Sequence, residues 1–186
     1  MELAEKGSQL AGWNIEIVAT DFARFALQKA RKGIYSQFEV QRGLPISLLV
    51  KYFTKADGGW EICPGIRSRV QFAEHNLVTE HDSLGTFDLI FCRNVLLYFD
   101  EVTKRAVLSR LAGRLASDGY LVLGSAETTT GLSTDFTPAP GEQHDIFVLS
   151  PQTQAARAWL EQGCRGHAGG GSLSGAAAYA TAKPAT

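Results

Sequence analysis

The chain predicts an α/β protein built on a mostly parallel sheet, and three observations predict it. Strand-like and helix-like stretches alternate along most of the first 150 residues. One of them, Leu89 to Cys92, is a short unbroken apolar run of the kind shown by a strand buried on both faces. Polar side chains, Arg93, Asn94 and then Tyr98, follow at its carboxyl end, the edge where open α/β sheets hold their ligands.

The elements can be justified in order. Asn14 to Thr20 reads as a strand because Ile15, Ile17 and Val18 are β-branched and the run closes at Asp21. Asp21 to Lys32 reads as a helix: Phe22, Phe25, Ala26 and Ala30 recur at helical spacing, Asp21 can cap the start, and Gly33 follows a basic last turn. Pro45 to Phe53 reads as a second helix with Leu48, Leu49, Tyr52 and Phe53 on one face. Asp57-Gly58-Gly59 then makes a turn into the strand-like Trp60 to Cys63, with which a further strand, Val70 to Ala73, can pair.

After the strand at Phe87, Glu101 to Ala116 predicts a helix that turns Val107, Leu108, Leu111 and Leu115 to the sheet. A turn at Ser117-Asp118-Gly119 leads to a strand from Tyr120 to Leu123, and His144 to Leu149 is the last strand expected. Residues 151–186 are read as a short helix, Thr153 to Gln162, and a tail. Gly166 to Thr186 is dominated by Gly, Ala, Ser and Thr, which bury little apolar surface against their chain entropy, so a flexible tail is expected.

Composition narrows the function classes. At 186 residues and 45% hydrophobic content the chain can bury one real core. A formal net charge of -1, with no dense basic cluster beyond Lys29 to Lys32, argues against a nucleic-acid partner. No apolar run reaches the roughly 18 residues of a membrane span, and Glu2, Glu5 and Lys6 stand where a signal peptide's apolar core would be, so no membrane insertion and a cytoplasmic location are expected. Cys63, Cys92 and Cys164 lack C-x-x-C spacing and the four histidines form no zinc-ligand pattern, so neither metal nor disulfide is expected.

Asp21 directly follows a strand, where a carboxylate can accept hydrogen bonds from both hydroxyls of a ribose; the plainer reading is a helix cap, and the two are compatible. Asn76 reads equally as a turn residue, and Arg93 and Tyr98 as an ion-pair partner and a packed ring.

The run from Phe87 to Asp100, with Cys92-Arg93-Asn94-Val95-Leu96-Leu97-Tyr98-Phe99 at its heart, resembles the signature of the CheR-type chemotaxis receptor methyltransferases. Four more segments match that family in the same order: Glu16 to Asp21, Lys29 to Tyr35, Arg69 to Leu77 and Asp118 to Glu127. The resemblance implies a class I SAM-dependent methyltransferase fold, with a Rossmann-like sheet and a small β-rich insertion over about residues 44–70. It implies S-adenosylmethionine as cofactor and receptor glutamates as substrate, and an insertion that in some members docks a receptor-tail peptide as an added strand.

Residue by residue, the resemblance makes Asp21 the ribose-binding acid and sets Asn76 and Leu77 against the adenine by polar and apolar contact. It lines the cofactor site with Arg93 and Asn94 and brings Tyr98 near the methyl sulfonium as the catalytic candidate. Glu127 falls where the family has Gly-His-Ser-Glu, but the histidine and serine positions differ here and Glu127 is given no role.

The match begins inside the family's pattern, at the helix that follows the glycine-rich loop, so the resembled domain is expected to be incomplete at its N-terminus. The family's first strand lies between the strands of Asp21 and Phe87, and its loss would leave two facing rows of backbone groups. Either those strands pair directly, or another segment fills the gap, or the chain is marginal alone and self-associates. Weak or no cofactor binding is expected in consequence, and the competing reading is a non-catalytic remnant that binds a receptor or peptide.

Overall fold

The computed structural model describes residues 1–79, 84–141, 144–163 and 178–184. In chain order the elements are α1 (Glu2–Glu5), β1 (Trp13–Asp21), α2 (Arg24–Lys32), β2 (Ile34–Tyr35), α3 (Gln37–Gln41), α4 (Ile46–Tyr52), β3 (Phe53–Ala56), β4 (Gly59–Ile62), α5 (Pro64–Arg67) and β5 (Val70–Glu74). They continue as β6 (Phe87–Cys92), a 3-10 turn at Leu96–Tyr98, α6 (Glu101–Arg114), β7 (Leu115–Leu123), β8 (Phe136–Pro138), β9 (Ile146–Leu149), α7 (Pro151–Gly163) and β10 (Ala178–Pro184). Seven strands form the main sheet in the order β5-β1-β10-β6-β7-β9-β8, and β2-β4-β3 form a second, antiparallel one.

The core gathers where β6, β7 and β9 meet α6. Ile90, Leu121, Leu123, Val107, Leu108, Leu111 and Phe147 are all at most 2% exposed, and burying such a side chain contributes roughly 1.5–3 kcal/mol. α6 is placed by its start: Asp100 accepts the Thr103 N–H at 2.7 Å, a side-chain cap that also holds the Asp100 carboxyl below its ordinary range. At its other end Arg157 of α7 donates to the carbonyls of Gly113 and Leu115, tying the last helix to the start of β7.

Several expectations are corrected. α2 begins at Arg24, not at Asp21, and Phe22 and Phe25 are 70% and 79% exposed, leaving Leu27 as the buried residue of that helix. It ends as expected, with Gly33 left-handed at φ 70°, where an added Cβ would lie 2.9 Å from Ile62. β5 does not join β4. It pairs in parallel with β1, from Ile17 opposite Val70 to Asp21 opposite Glu74, because α5 carries the chain out of the small sheet first. β7 starts at Leu115: the expected turn is instead an irregularity inside the strand, where Ala116 to Gly119 face the single residue Asp88.

The largest correction concerns the C-terminal segment. Residues 178–184, expected as part of a flexible tail, form β10 and stand in the middle of the main sheet. β10 runs antiparallel to both neighbours, pairing Val18 to Trp13 of β1 with Tyr179 to Pro184, and Phe91 to Leu89 of β6 with Ala178 to Ala180. The gap between β1 and β6 is therefore closed by another segment of the same chain. Composition hid it: Ala-Tyr-Ala-Thr-Ala-Lys-Pro holds little of the β-branched and aromatic content that marks a central strand.

Ala180 faces Ile17 on one side and Leu89 on the other. A proline there removes a ladder N–H. Ala180→Pro is expected to lower the melting temperature by about 2–12 °C, and an unchanged thermal transition would contradict β10 as a sheet member.

Candidate cofactor site

The carboxyl ends of β1, β5 and β6 enclose a cavity of about 410 Å³. Thr20, Asp21 and Phe22 line it from β1, His75, Asn76 and Leu77 from the loop after β5, and Phe91, Cys92, Arg93, Val95 and Phe99 from β6 and the loop beyond. A volume of this size, mostly apolar with a few fixed polar groups, suits a small organic cofactor.

Each polar group is fixed by the chain next to it. Asp21 Oδ1 accepts the Ala23 N–H at 2.7 Å, so the acid serves as a turn-former just ahead of α2 and its side chain is held in place. The Asp21 carbonyl accepts the His75 N–H at 3.1 Å, which joins the ends of β1 and β5. Asn76 Oδ1 accepts the Val78 N–H at 3.0 Å, the turn role read from sequence, while Leu77 packs against the core and its carbonyl takes a bond from Arg110. Arg93 Nε donates to the Leu123 carbonyl at 3.2 Å, so its partner is the end of β7 and not a carboxylate.

Four of the six residues singled out from sequence, Asp21, Asn76, Leu77 and Arg93, thus converge on one cavity. Asn94 and Tyr98 do not line it. Asn94 is left-handed at φ 58°, the only described non-glycine residue with positive φ, and its Oδ1 lies 2.4 Å from where a Cβ on Gly124 would stand, so it faces β7. Tyr98 ends the 3-10 turn 83% exposed, because that turn sends Leu96 into the core, at 2% exposure, and the tyrosine outward.

Sequence reasoning gave no role to Glu127, yet it is 8% exposed and accepts five backbone N–H bonds. Oε2 takes Gly124 at 2.6 Å and Asn94 at 2.7 Å; Oε1 takes Leu96 at 2.7 Å, Val95 at 2.9 Å and Leu97 at 3.3 Å. The available signal was a lone acid three residues past a strand-ending glycine, opposite the loop of another strand. His75 also lines the cavity.

The main sheet is mixed and not mostly parallel as expected, since only β1–β5 and β6–β7 pair in parallel, but β1, β5, β6 and β7 point the same way. An acid at the end of β1 and a cavity across the carboxyl ends of these strands define the Rossmann-like class of nucleotide-cofactor α/β folds. Within that class, the family model described as CheR methyltransferase, SAM binding domain, matches residues 1–144, and the chain belongs to that family. The chain is 44% identical over 119 residues to "Chemotaxis protein methyltransferase 1" of Pseudomonas aeruginosa, covering 63% of this chain and 43% of that protein. It is 43% identical over 118 residues to "Chemotaxis protein methyltransferase Cher2" of Pseudomonas putida, with the same coverage. "Chemotaxis protein methyltransferase 1" of Vibrio cholerae is 39% identical over 124 residues, 66% of this chain and 45% of its own length. The chain therefore spans less than half of each of these relatives. Among solved structures, the PH0226 protein of Pyrococcus horikoshii OT3 aligns over 90% of this chain and 70% of its own at 14% identity and a TM-score of 0.38, too loose a likeness to carry an argument.

The residues present fit the nucleoside half of S-adenosylmethionine: a carboxylate for ribose hydroxyls, an amide and a leucine beside one another, and an apolar wall from Phe91, Val95 and Phe99. Cys92 does not supply a nucleophile. Burial first, and the nearby Glu127 second, push its thiol up to about 12, so it stays protonated at neutral pH. Cys92 is expected to resist iodoacetamide at pH 8 in the folded chain and to gain reactivity only toward pH 12 or on unfolding; mass-mapped labelling of Cys92 at pH 8 as fast as that of the half-buried Cys63 would contradict this.

Proposed function

We propose that the chain carries the nucleoside-binding part of an S-adenosylmethionine site and contributes to a protein-glutamate O-methyltransferase that acts on chemotaxis receptors in the cytoplasm. The observation that carries the reading is the convergence of Asp21, Asn76, Leu77 and Arg93 on one cavity at the carboxyl edge of the sheet. When bound, the cofactor would supply a sulfonium methyl group, an electrophile that needs no further activation.

The chemistry asks little acid-base work of the protein. A substrate glutamate is already ionised at neutral pH, so no side chain of the protein need take a proton from it before it meets the methyl group that a bound cofactor would supply. What remains is positioning in a site that excludes water, which can supply several orders of magnitude in rate. In this reading Asp21 holds the ribose, Asn76 and Leu77 grip the base, and Phe91 and Phe99 keep water from the cavity. Tyr98, exposed one residue before Phe99, is available to a carboxylate arriving from a partner protein. The small antiparallel sheet, β2-β4-β3, is the proposed place for a receptor segment to dock.

A second reading, a module that binds without turnover, is favoured by one observation: the centre of the main sheet, between β1 and β6, holds an antiparallel strand, β10. Calorimetric titration of the folded chain with S-adenosylhomocysteine separates the two. Saturable binding weaker than low micromolar, reduced by about 10-fold or more in Asp21→Ala, is the expected result. Absence of binding, or indifference to the substitution, would favour the second.

A further inference from the structure

We propose that Glu127 is a positioning residue for the cofactor site: its carboxylate gathers the amides of Asn94 to Leu97 and Gly124, and so fixes the loop that sets Arg93, Val95 and Phe99 in the cavity wall. The assignment rests on the cofactor reading above, but its structural half is independent of it.

The argument begins with the backbone after β6. Four successive N–H groups, Asn94 to Leu97, turn toward one point instead of entering a helix or sheet ladder, and Gly124 adds a fifth from the end of β7. Such convergence makes a concave, electropositive nest that needs an anion or a dense acceptor to be stable away from water. Glu127 meets the need from within the chain. A carboxylate offers about four lone-pair directions over two oxygens, and here each oxygen serves donors from the β6 loop while Oε2 also takes Gly124.

The nest dictates the loop's shape. Drawing in the Asn94 amide puts that residue at φ 58° and turns its side chain toward β7, so that Arg93 on one side and Val95 on the other are left to the cavity. Gly124 is part of the same device. A Cβ there would stand 2.4 Å from Asn94 Oδ1 and 2.7 Å from Glu127 Oε2, so any larger residue must push the loop or the carboxylate away. No atom of Glu127 lines the cavity; it acts through the groups that do.

Glutamine is a close steric match but a poor acceptor set. In either orientation its NH2 faces two or three backbone donors, and only one oxygen remains. Aspartate keeps both oxygens on a stem shorter by one methylene. The test compares Glu127→Gln, Glu127→Asp and Leu149→Val, the last a core shortening on β9 that lines no part of the cavity. Two quantities are read in the full chain: backbone amide exchange at Asn94 to Leu97 relative to Ile90 and Leu121, and the dissociation constant for S-adenosylhomocysteine.

In Glu127→Gln the loop amides are expected to exchange at least about 10-fold faster than in the parent, relative to the core amides, and the dissociation constant to rise by a similar factor. Glu127→Asp should lie between parent and Gln on both scales, and Leu149→Val should leave both within about threefold at matched loss of melting temperature. Retained loop protection or unchanged affinity in Glu127→Gln would overturn the proposal, as would an equal loss in Leu149→Val. If Glu127→Gln does not fold, the aspartate variant decides by the same two readings. A parent that does not bind would sink the cofactor reading alone, and the exchange data would still decide whether Glu127 holds the loop.

Discussion

The site depends on what stands between β1 and β6. Asp21 ends the one strand and Cys92-Arg93 follow the other, so the separation of the carboxylate from the arginine is set by the strand that spaces them. Neither neighbour can be left unpaired at the centre of a sheet, because each buried N–H or C=O without a partner costs free energy on the scale of a hydrogen bond or more. β10 meets that constraint with backbone groups, pairing six residues of β1 and three of β6. With one strand interposed, β1 and β6 point the same way and their carboxyl ends open on a single cavity.

The other side of the cavity is built by a different means. β6 and β7 are parallel neighbours paired out to Cys92 and Leu123, and beyond the ladder side chains staple them: Arg93 reaches the Leu123 carbonyl, and Glu127 reaches back to the loop after β6. Behind these contacts lie the buried core residues Ile90, Leu96, Leu108 and Leu123, so the loop is anchored below by apolar packing and above by charge-assisted bonds. The β1 side leans on backbone pairing to a strand rich in alanine, and the β6 side on a packed core, so the two walls of one site rest on supports of different kinds.

How much of this was legible in the sequence follows from the same physics. β1, β6 and α6 could be read because burial writes a periodicity, and Asp21, Asn76, Leu77 and Arg93 could be placed because the resemblance fixes positions along strands whose ends meet. Asn94 and Tyr98 stand outside the cavity because position along a chain does not give side-chain direction: the Glu127 nest turns one toward β7, and a single 3-10 turn sends the other to solvent. β7 was read short because Gly119, which looks like a turn residue, is needed where a Cβ would come within 2.9 Å of the Asp88 carbonyl inside the strand. β10 was missed because what selects it is a vacancy between two other strands, and that does not appear in its own composition.

The account stands or falls on the strand between β1 and β6, and cross-strand proton contacts measured by nuclear magnetic resonance on the full chain address it directly. The prediction is a set of backbone contacts from Ala180 to Ile17 on one side and to Leu89 on the other, as the antiparallel register requires. Direct contacts between β1 and β6, or the absence of any from residues 178–184, would contradict it.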